Sequence, residues 1–389
     1  MKRVLVVDPM IEGHHADYLV HLLRFAQSGA FSGELIFLVE EAFAPIWRRE
    51  VGDNALPTVQ VHYFNEADRV EWMRYSMIRR SWVMWRLVRD WAQRLAVDHI
   101  LLMYMDIPQL GVALGPKPSQ TVSGILFRPN FHYQVQGWKS QVGQWGKKNL
   151  LAFLLRRTFV QTLWTLDATA VAAASFGGQQ KFKTLADPVL YREQTDVQRA
   201  EGRRRYKWPE NTKVFLLFGH LDERKGISVL LEAITLLSPD ELKQATFLLA
   251  GNLSPHITEE VAYWLPKAQA VADVRTEFRA LSGEEIDILF DLSDYILALY
   301  QRHIGMASVV VRAAYSGKPM WASDFGYLGH LVKSQSLGVV VNSEDPQAVA
   351  QSLRSILTHG ISVDPKALKK IADASSPEEF AKRLLGILP

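Results

Sequence analysis

Short apolar runs alternate with amphipathic helical stretches along the whole chain, and this alternation restricts the fold more than any other feature. Strand patterns at 4–7, 34–39 and 60–63 accompany a helix at 17–27, and a helical region over about 67–95 leads to a strand at 99–105. A strand at 122–127, a helix at 149–165 and a strand at 168–173 complete a first series. After Asp187-Pro188 a second series begins with a charged surface helix at 198–207. Its strands lie at 214–218, 246–250, 272–277, 295–299, 319–322 and 338–341; its helices lie at 227–237, 258–265, 283–292, 307–315 and 346–357. Strands separated by helices pair in parallel, because each return across the sheet needs a helix-length crossover. At 389 residues the chain exceeds what one core supports. The expected fold class is α/β, with two Rossmann-like domains facing each other across a cleft. Their expected limits are 1–185 and 186–372, with a helix in 373–389 packing back on the first domain. Open parallel sheets bind ligands at the carboxyl ends of their strands, so functional residues are sought there.

In the second series the strand at 214–218 runs into Gly219, a polar loop and Arg224-Lys225-Gly226, which opens the next helix. A flexible glycine, two adjacent cations and the amides of a helix start make an anion site suited to two phosphates of a nucleotide. Gly251 closes the neighbouring strand. Gly305-Met306-Ala307-Ser308 opens another helix, whose amides bind phosphate whatever the side chains are. Between them, Gln301, Arg302 and His303 concentrate polar groups at a strand end, where Arg302 or His303 suits the phosphates or an acidic sugar.

In the first series Gly13, His14 and His15 follow the first strand. Histidine serves as base or hydrogen-bond donor near neutral pH. Of two adjacent rings, one is expected to pack and the other to touch substrate. Asp106 ends the strand at 99–105, and Arg128 and His132 follow the next one. They suit acceptor binding or, equally, a salt bridge between loops. Nothing in the spacing of these residues marks a metal site.

In order and spacing, the second half resembles the donor domain of GT-B glycosyltransferases of the retaining family-4 type. Phe218-Gly-His-Leu-Asp-Glu-Arg-Lys-Gly226 resembles that family's Gly…Lys-Gly phosphate loop, and its adjacent Arg-Lys is similar to the lipopolysaccharide-core glucosyltransferases. Phe247-Leu-Leu-Ala-Gly251, residues 281–295 and Ala313-Ala-Tyr-Ser-Gly-Lys-Pro319 resemble the elements that follow. The resemblance covers about 186–357 closely and 1–185 in outline. It departs at one place. The family carries two glutamates eight positions apart, which hold the donor's hydroxyls; here the second position is Arg312 and the first is Ile304 or, with a small insertion, Arg302.

Composition narrows the setting. The chain has no cysteine, which excludes disulfides and thiolate chemistry. The apolar stretch after Met1 is too short for a signal peptide, and no window spans a bilayer. The expected location is the cytoplasm, with contact to the inner face of the membrane. Residues 1–185 carry 21 Lys+Arg against 15 Asp+Glu, leaving 44 − 21 = 23 basic and 41 − 15 = 26 acidic residues for the remainder. The positive half contains two basic segments rich in tryptophan, 69–95 and 137–164, which suit an anionic membrane surface or packing on their own sheet. No nucleic-acid-binding motif appears.

The expected function is transfer of a sugar from a nucleoside diphosphate donor to a glycan or lipid-linked acceptor. The resemblance implies a retaining, metal-independent reaction with no cofactor beyond the donor itself. The alternative is a catalytically inactive relative that binds a sugar nucleotide, a glycan or a protein partner.

Overall fold

The computed structural model describes residues 1–11, 14–52, 57–65, 75–133, 138–208 and 212–386. By its internal contacts the chain divides into two units, Met1–Ala186 with Pro377–Pro389, and Asp187–Ser376.

The sheet of the first unit contains β1 (Arg3–Asp8), β2 (Glu34–Val39), β3 (Val59–Tyr63), β4 (His99–Leu102), β5 (Thr121–Ile125), β6 (Val160–Thr165) and β7 (Phe182–Thr184). They pair in parallel in the order β3-β2-β1-β4-β5-β6-β7. Alternate residues of β1 enter different cores: Leu5 and Val7 on one face, Val4 and Val6 on the other. A strand buried on both faces reads as a continuous apolar run, which is why these segments lack polar alternation. The final helix, Pro377–Leu385, belongs to this unit and sets the Phe380 ring 4.8 Å from Tyr18.

The second sheet contains β8 (Lys213–Phe218), β9 (Ala245–Ala250), β10 (Asp273–Glu277), β11 (Tyr295–Ala298), β12 (Met320–Ser323) and β13 (Gly338–Val341). Its order is β10-β9-β8-β11-β12-β13, again parallel. Phe215 and Leu217 fill one core and Leu216 the other.

Both sheets reverse direction at one pair of neighbours, β1 beside β4 and β8 beside β11. At such a switch point the crossovers leave in opposite directions and open a crevice at the strands' carboxyl ends. Each unit therefore has one place where a ligand is favoured by topology alone.

Two expected elements differ. The helix expected at 149–165 ends at Arg156, and Val160–Thr165 is strand β6. The segment between holds no Gly or Pro, so nothing in the pattern marks the break; Val122 N–H donates to Phe159 O at 2.8 Å and draws the chain into the sheet. The strand expected at 168–173 is instead the helix Ala168–Ala173. The Asp167 side chain accepts from the amides of Thr169 and Ala170 and so starts it, and alanine is the best helix former. Of the long helix expected over about 67–95, the structure shows Met77–Arg94; residues 67–74 lie outside the described residues.

Candidate functional site

In the second unit the chain leaves β8 through Gly219, makes a single 3-10 turn at Glu223–Lys225 and enters the helix Ile227–Thr235. The Asp222 side chain accepts from Arg224 N–H at 3.1 Å and starts the turn. This loop lies directly against the end of β11: Gln301 N–H donates to Arg224 O at 2.7 Å. The approach is so close that a Cβ on Gly226 (φ +68) would sit 2.2 Å from Leu299 O. Next door, a Cβ on Gly251 (φ +125) would sit 1.9 Å from Gly219 O. Only glycine permits either contact.

Lys225 occupies the switch point. Its residue is 9% exposed, and its ammonium donates to Phe218 O at 3.0 Å and to the Tyr300 hydroxyl at 2.5 Å. The ammonium also lies 4.4 Å from the centre of the Tyr300 ring. All these partners are neutral, and no carboxylate pairs with Lys225 among the described residues. Tyr300 leads to His303, ring centres 5.0 Å apart, and His303 Nε2 lies 3.3 Å from Met306 O. Burial pushes the His303 pKa down, the Met306 carbonyl opposes this, and Arg224 and Lys225 lower it further. Beyond Met306, the helix Ser308–Tyr315 starts from an extended Ala307 with no side-chain cap. The ammonium, the neutral imidazole and the uncapped helix start thus follow one another along one sheet edge.

The other cations are committed. Arg224 pairs with Asp222 at 2.8 Å within its own loop. Arg302, in a left-handed conformation (φ +47), pairs with Glu344 at 2.6 Å. Arg312 turns to the helix Gly283–Leu292 and pairs with Asp287 at 2.7 Å; the Asp287 carboxylate is almost wholly buried and also accepts from Arg192 N–H at 3.2 Å.

In the first unit the switch point is held by Asp8, the last residue of β1, and by His15, the first of the helix His15–Gln27. Both are buried, with His15 Nδ1 2.8 Å from Asp8 Oδ2. The His14 ring is stacked on His15 at 4.6 Å and lies tilted to Phe127 at 4.8 Å. Desolvation of its covered face, then the adjacent His15, push its pKa down to about 4. Gly13 lies outside the described residues.

The Asp106 carboxylate accepts from the amides of Phe127 at 2.8 Å and Arg128 at 3.0 Å, fastening the loop after β4 to the loop after β5. Burial pushes its pKa up to about 6 against those hydrogen bonds and the nearby Arg128. The folded protein therefore holds this proton more tightly than the unfolded chain does. The resulting stability is complete below the ordinary carboxylate range and is lost as pH rises through about 6. After allowance for solvent at its partly open side, about 1–2 kcal/mol is expected. Melting curves of the wild type and Asp106→Asn between pH 4 and 7 check this: their difference should shift against the wild type as pH rises. The difference is needed because the depressed histidines, His14 among them, push stability the opposite way over the same range. His132 is engaged at both nitrogens, Nε2 with Thr169 Oγ1 at 2.8 Å and Nδ1 with Pro129 O at 3.2 Å.

Residues 198–375 match the model of the family described as Glycosyl transferases group 1. That match covers 178 of the chain's 389 residues. The matched segment spans nearly all of the second unit and contains Lys225, Tyr300, His303 and the start of the helix Ser308–Tyr315. Among curated proteins, the D-inositol 3-phosphate glycosyltransferase of Corynebacterium efficiens is 29% identical over 176 residues, 44% of this chain and 41% of the relative. That of Corynebacterium aurimucosum is 26% identical over 175 residues, with the same shares. The chain spans about two fifths of the length of the curated relatives it matches. Solved structures resemble the whole chain. A glycosyltransferase from Rickettsia africae ESF-5 superposes with a TM-score of 0.71 at 14% identity, covering 99% of this chain and 97% of that one. HepE of Anabaena, solved in complex with UDP, gives 0.69 at 14% identity over 100% and 99%. The fold is that of the GT-B glycosyltransferases.

Three residues of these sites were missed in the sequence. Tyr300 stands beside Gln301, but nothing in the pattern ties its hydroxyl to Lys225. Asp167 was hidden by the misplaced helix and strand around it. Asp8 was legible as a carboxylate ending a buried strand, a position where an apolar residue is the norm.

Proposed function

We propose that the protein is a glycosyltransferase whose second unit holds the diphosphate of a uridine diphosphate sugar. One observation carries the reading: a buried ammonium at the switch point, paired with no carboxylate among the described residues, beside an uncapped helix start. A buried cation without a counter-ion is costly, and an anionic ligand removes that cost. The uncapped amides favour the same ligand. As the sugar leaves, charge grows on the diphosphate, and a fixed cation and amides stabilise that charge more than the ground state. The bound UDP of HepE supports uracil as the base. The family resemblance supports retention without a metal, and a glycan or lipid-linked acceptor.

Thermal melting with UDP, UDP-glucose, GDP and ADP tests the reading. A ligand at 100 times its dissociation constant stabilises by about 2.7 kcal/mol. UDP and its sugar should raise the melting temperature and ADP should not; no response to any of them would remove the donor site. Binding with no release of UDP from any UDP-sugar would favour the inactive alternative, for which the commitment of Arg302 and Arg312 to carboxylates speaks.

The proposed acceptor side includes a lipid surface. No described helix is long and apolar enough to cross a membrane. On the helix Trp138–Arg156, however, Trp138, Val142 and Trp145 recur along one face at 70%, 58% and 69% exposure, near Lys147 and Lys148. Met77, Ile78 and Trp82 are exposed on the helix Met77–Arg94, beside Arg79 and Arg80. Exposed tryptophan among cations suits the interface of an anionic bilayer. The protein should sediment with phosphatidylglycerol vesicles at low salt and be released at about 0.5 M salt, where screening reaches a few ångströms. Trp138→Ser with Trp145→Ser should weaken binding about tenfold while leaving the melting temperature unchanged. Failure of the wild type to sediment would end the membrane assignment.

A further inference from the structure

We propose that His303 Nδ1 accepts a hydrogen bond from a hydroxyl of the sugar nucleotide beside its diphosphate, an inference that rests on the glycosyltransferase reading and concerns the second unit alone. His303 lies in the segment that joins β11 to the helix Ser308–Tyr315, and this segment is held on several sides. Gln301 N–H donates to Arg224 O at 2.7 Å, and the Gln301 side-chain amide donates to Leu299 O at 3.1 Å and to Ser343 O. The Ser343 hydroxyl lies 3.1 Å from Tyr300 O. A Cβ on Gly326 (φ +68) would sit 2.4 Å from His303 O, so only glycine lets the helix Gly326–Ser334 start this close to it.

The ring is oriented by two contacts. Its centre lies 5.0 Å from the Tyr300 ring, and Nε2 lies 3.3 Å from Met306 O. A carbonyl can only accept, so Nε2 carries the hydrogen and the lone pair of the neutral ring lies on Nδ1. No group among the described residues hydrogen-bonds to Nδ1, and the residue is partly exposed. The charged groups that act on the ring are Arg224, Lys225 and Asp222 from the loop after β8; its neighbour Arg302 is paired with Glu344. Burial and the two cations push the His303 pKa down, so the lone pair is present at neutral pH.

The polarity of this nitrogen decides what it can bind. The Lys225 ammonium and the amides that open the helix Ser308–Tyr315 are donors, which suits phosphate oxygens. Nδ1 lies along the same sheet edge with the opposite polarity. A lone pair facing a phosphate oxygen is repelled, so its partner is a donor on the ligand. A sugar nucleotide carries a hydroxyl-bearing ring on each side of its diphosphate, the ribose and the transferred sugar, and either supplies an O–H. The sequence alone assigned His303 to phosphates or an acidic sugar; the tautomer reverses that assignment.

Calorimetric titration of the full chain tests this with UDP, its 2′- and 3′-deoxy analogues, UDP-glucose and inorganic pyrophosphate, for the wild type, His303→Phe and His303→Asn. Phenylalanine keeps a ring and removes the acceptor; asparagine sets its amide oxygen near the place of Nδ1. UDP-glucose should bind His303→Phe about 3–10-fold more weakly, the usual worth of one neutral hydrogen bond. Asparagine should recover most of that loss, and pyrophosphate should bind all three proteins alike. If the hydroxyl is the ribose's, UDP weakens together with UDP-glucose, and one deoxy analogue binds the wild type no better than the variants. If it is the sugar's, UDP binds all three alike. Either result supports the proposal. A ring with a merely structural role would weaken pyrophosphate as much as UDP-glucose, and that result overturns the proposal. So does unchanged UDP-glucose binding in His303→Phe, a loss that asparagine does not recover, or an equal loss for UDP and both deoxy analogues, which would point to the base. Should His303→Phe fail to fold, His303→Leu decides by the same limits. A wild type that binds UDP while the variants match it overturns this inference and leaves the donor site standing; a wild type blind to UDP and UDP-glucose defeats the donor reading, and this inference with it.

Discussion

Replacing Lys225 by methionine removes most of the binding of UDP and leaves the unliganded protein about as stable as before. The two halves of that result come from one fact, the absence of a counter-ion among the described residues. In the free protein the ammonium is buried against Phe218 O, the Tyr300 hydroxyl and the Tyr300 ring. Removing a buried charge that lacks an ionic partner relieves desolvation, and apolar replacements of such groups are often neutral or better. Against this, Phe218 O and the Tyr300 hydroxyl lose a donor, at about 1–3 kcal/mol for a group left unpaired. The two terms roughly cancel. With UDP bound, the ammonium meets phosphate oxygens, and charge-assisted hydrogen bonds are worth about 1.5–3 kcal/mol. Calorimetric titration should therefore show UDP binding weakened about 10–150-fold in Lys225→Met. Unchanged affinity would take Lys225 out of the site; a severe loss of unliganded stability would show that its role is structural.

Arg312→Glu is expected to unfold the second unit more readily and to gain no donor affinity. The substitution introduces the residue type that the resemblance to family-4 donor domains implies at this position, so a reading by resemblance alone would anticipate improvement. The structure points the other way. Arg312 Nη1 lies 2.7 Å from Asp287 Oδ1, with the carboxylate almost fully enclosed. Burial pushes the Asp287 carboxyl up, and the charge of Arg312 is foremost among the influences that hold it down. Exchanging the cation for a second carboxylate leaves two like charges in one enclosed site. Breaking a buried pair costs about 3–5 kcal/mol. For a unit of this size that lowers the melting temperature by roughly 6–20 °C. The loss should shrink toward pH 5, where one of the two carboxyls takes up a proton. A variant as stable as the wild type with tighter UDP binding would mean that Arg312 stands in the donor site after all.

The legibility of the chain follows from how local each signal is. Strands buried on both faces show as apolar runs, which is why β2 and β13 were legible to the residue and most other strands to within one or two. Where a helix passes into a strand with no Gly or Pro between, as after Arg156, the pattern had nothing to mark the change. The phosphate loop was legible because Gly219, Lys225 and Gly226 lie within eight residues. Which cation is uncommitted was not: Asp222 claims Arg224, Glu344 claims Arg302 and Asp287 claims Arg312, and the last two partners lie far off in sequence. Asp8 and His15 show the same limit, since nothing in the sequence reveals that the carboxylate ending β1 meets the ring that opens the next helix. Asp106 sits at a strand end as expected, yet both of its oxygens are spent on backbone amides that no sequence pattern reveals.

A crystal structure with UDP bound tests the central claim most directly. The account predicts the diphosphate at the β8–β11 switch point, with phosphate oxygens within hydrogen-bond distance of Lys225 Nζ and of the amides of Ser308 and Val309. UDP seated elsewhere, or a Lys225 ammonium still bound only to Phe218 O and Tyr300 with no phosphate near it, would contradict the account.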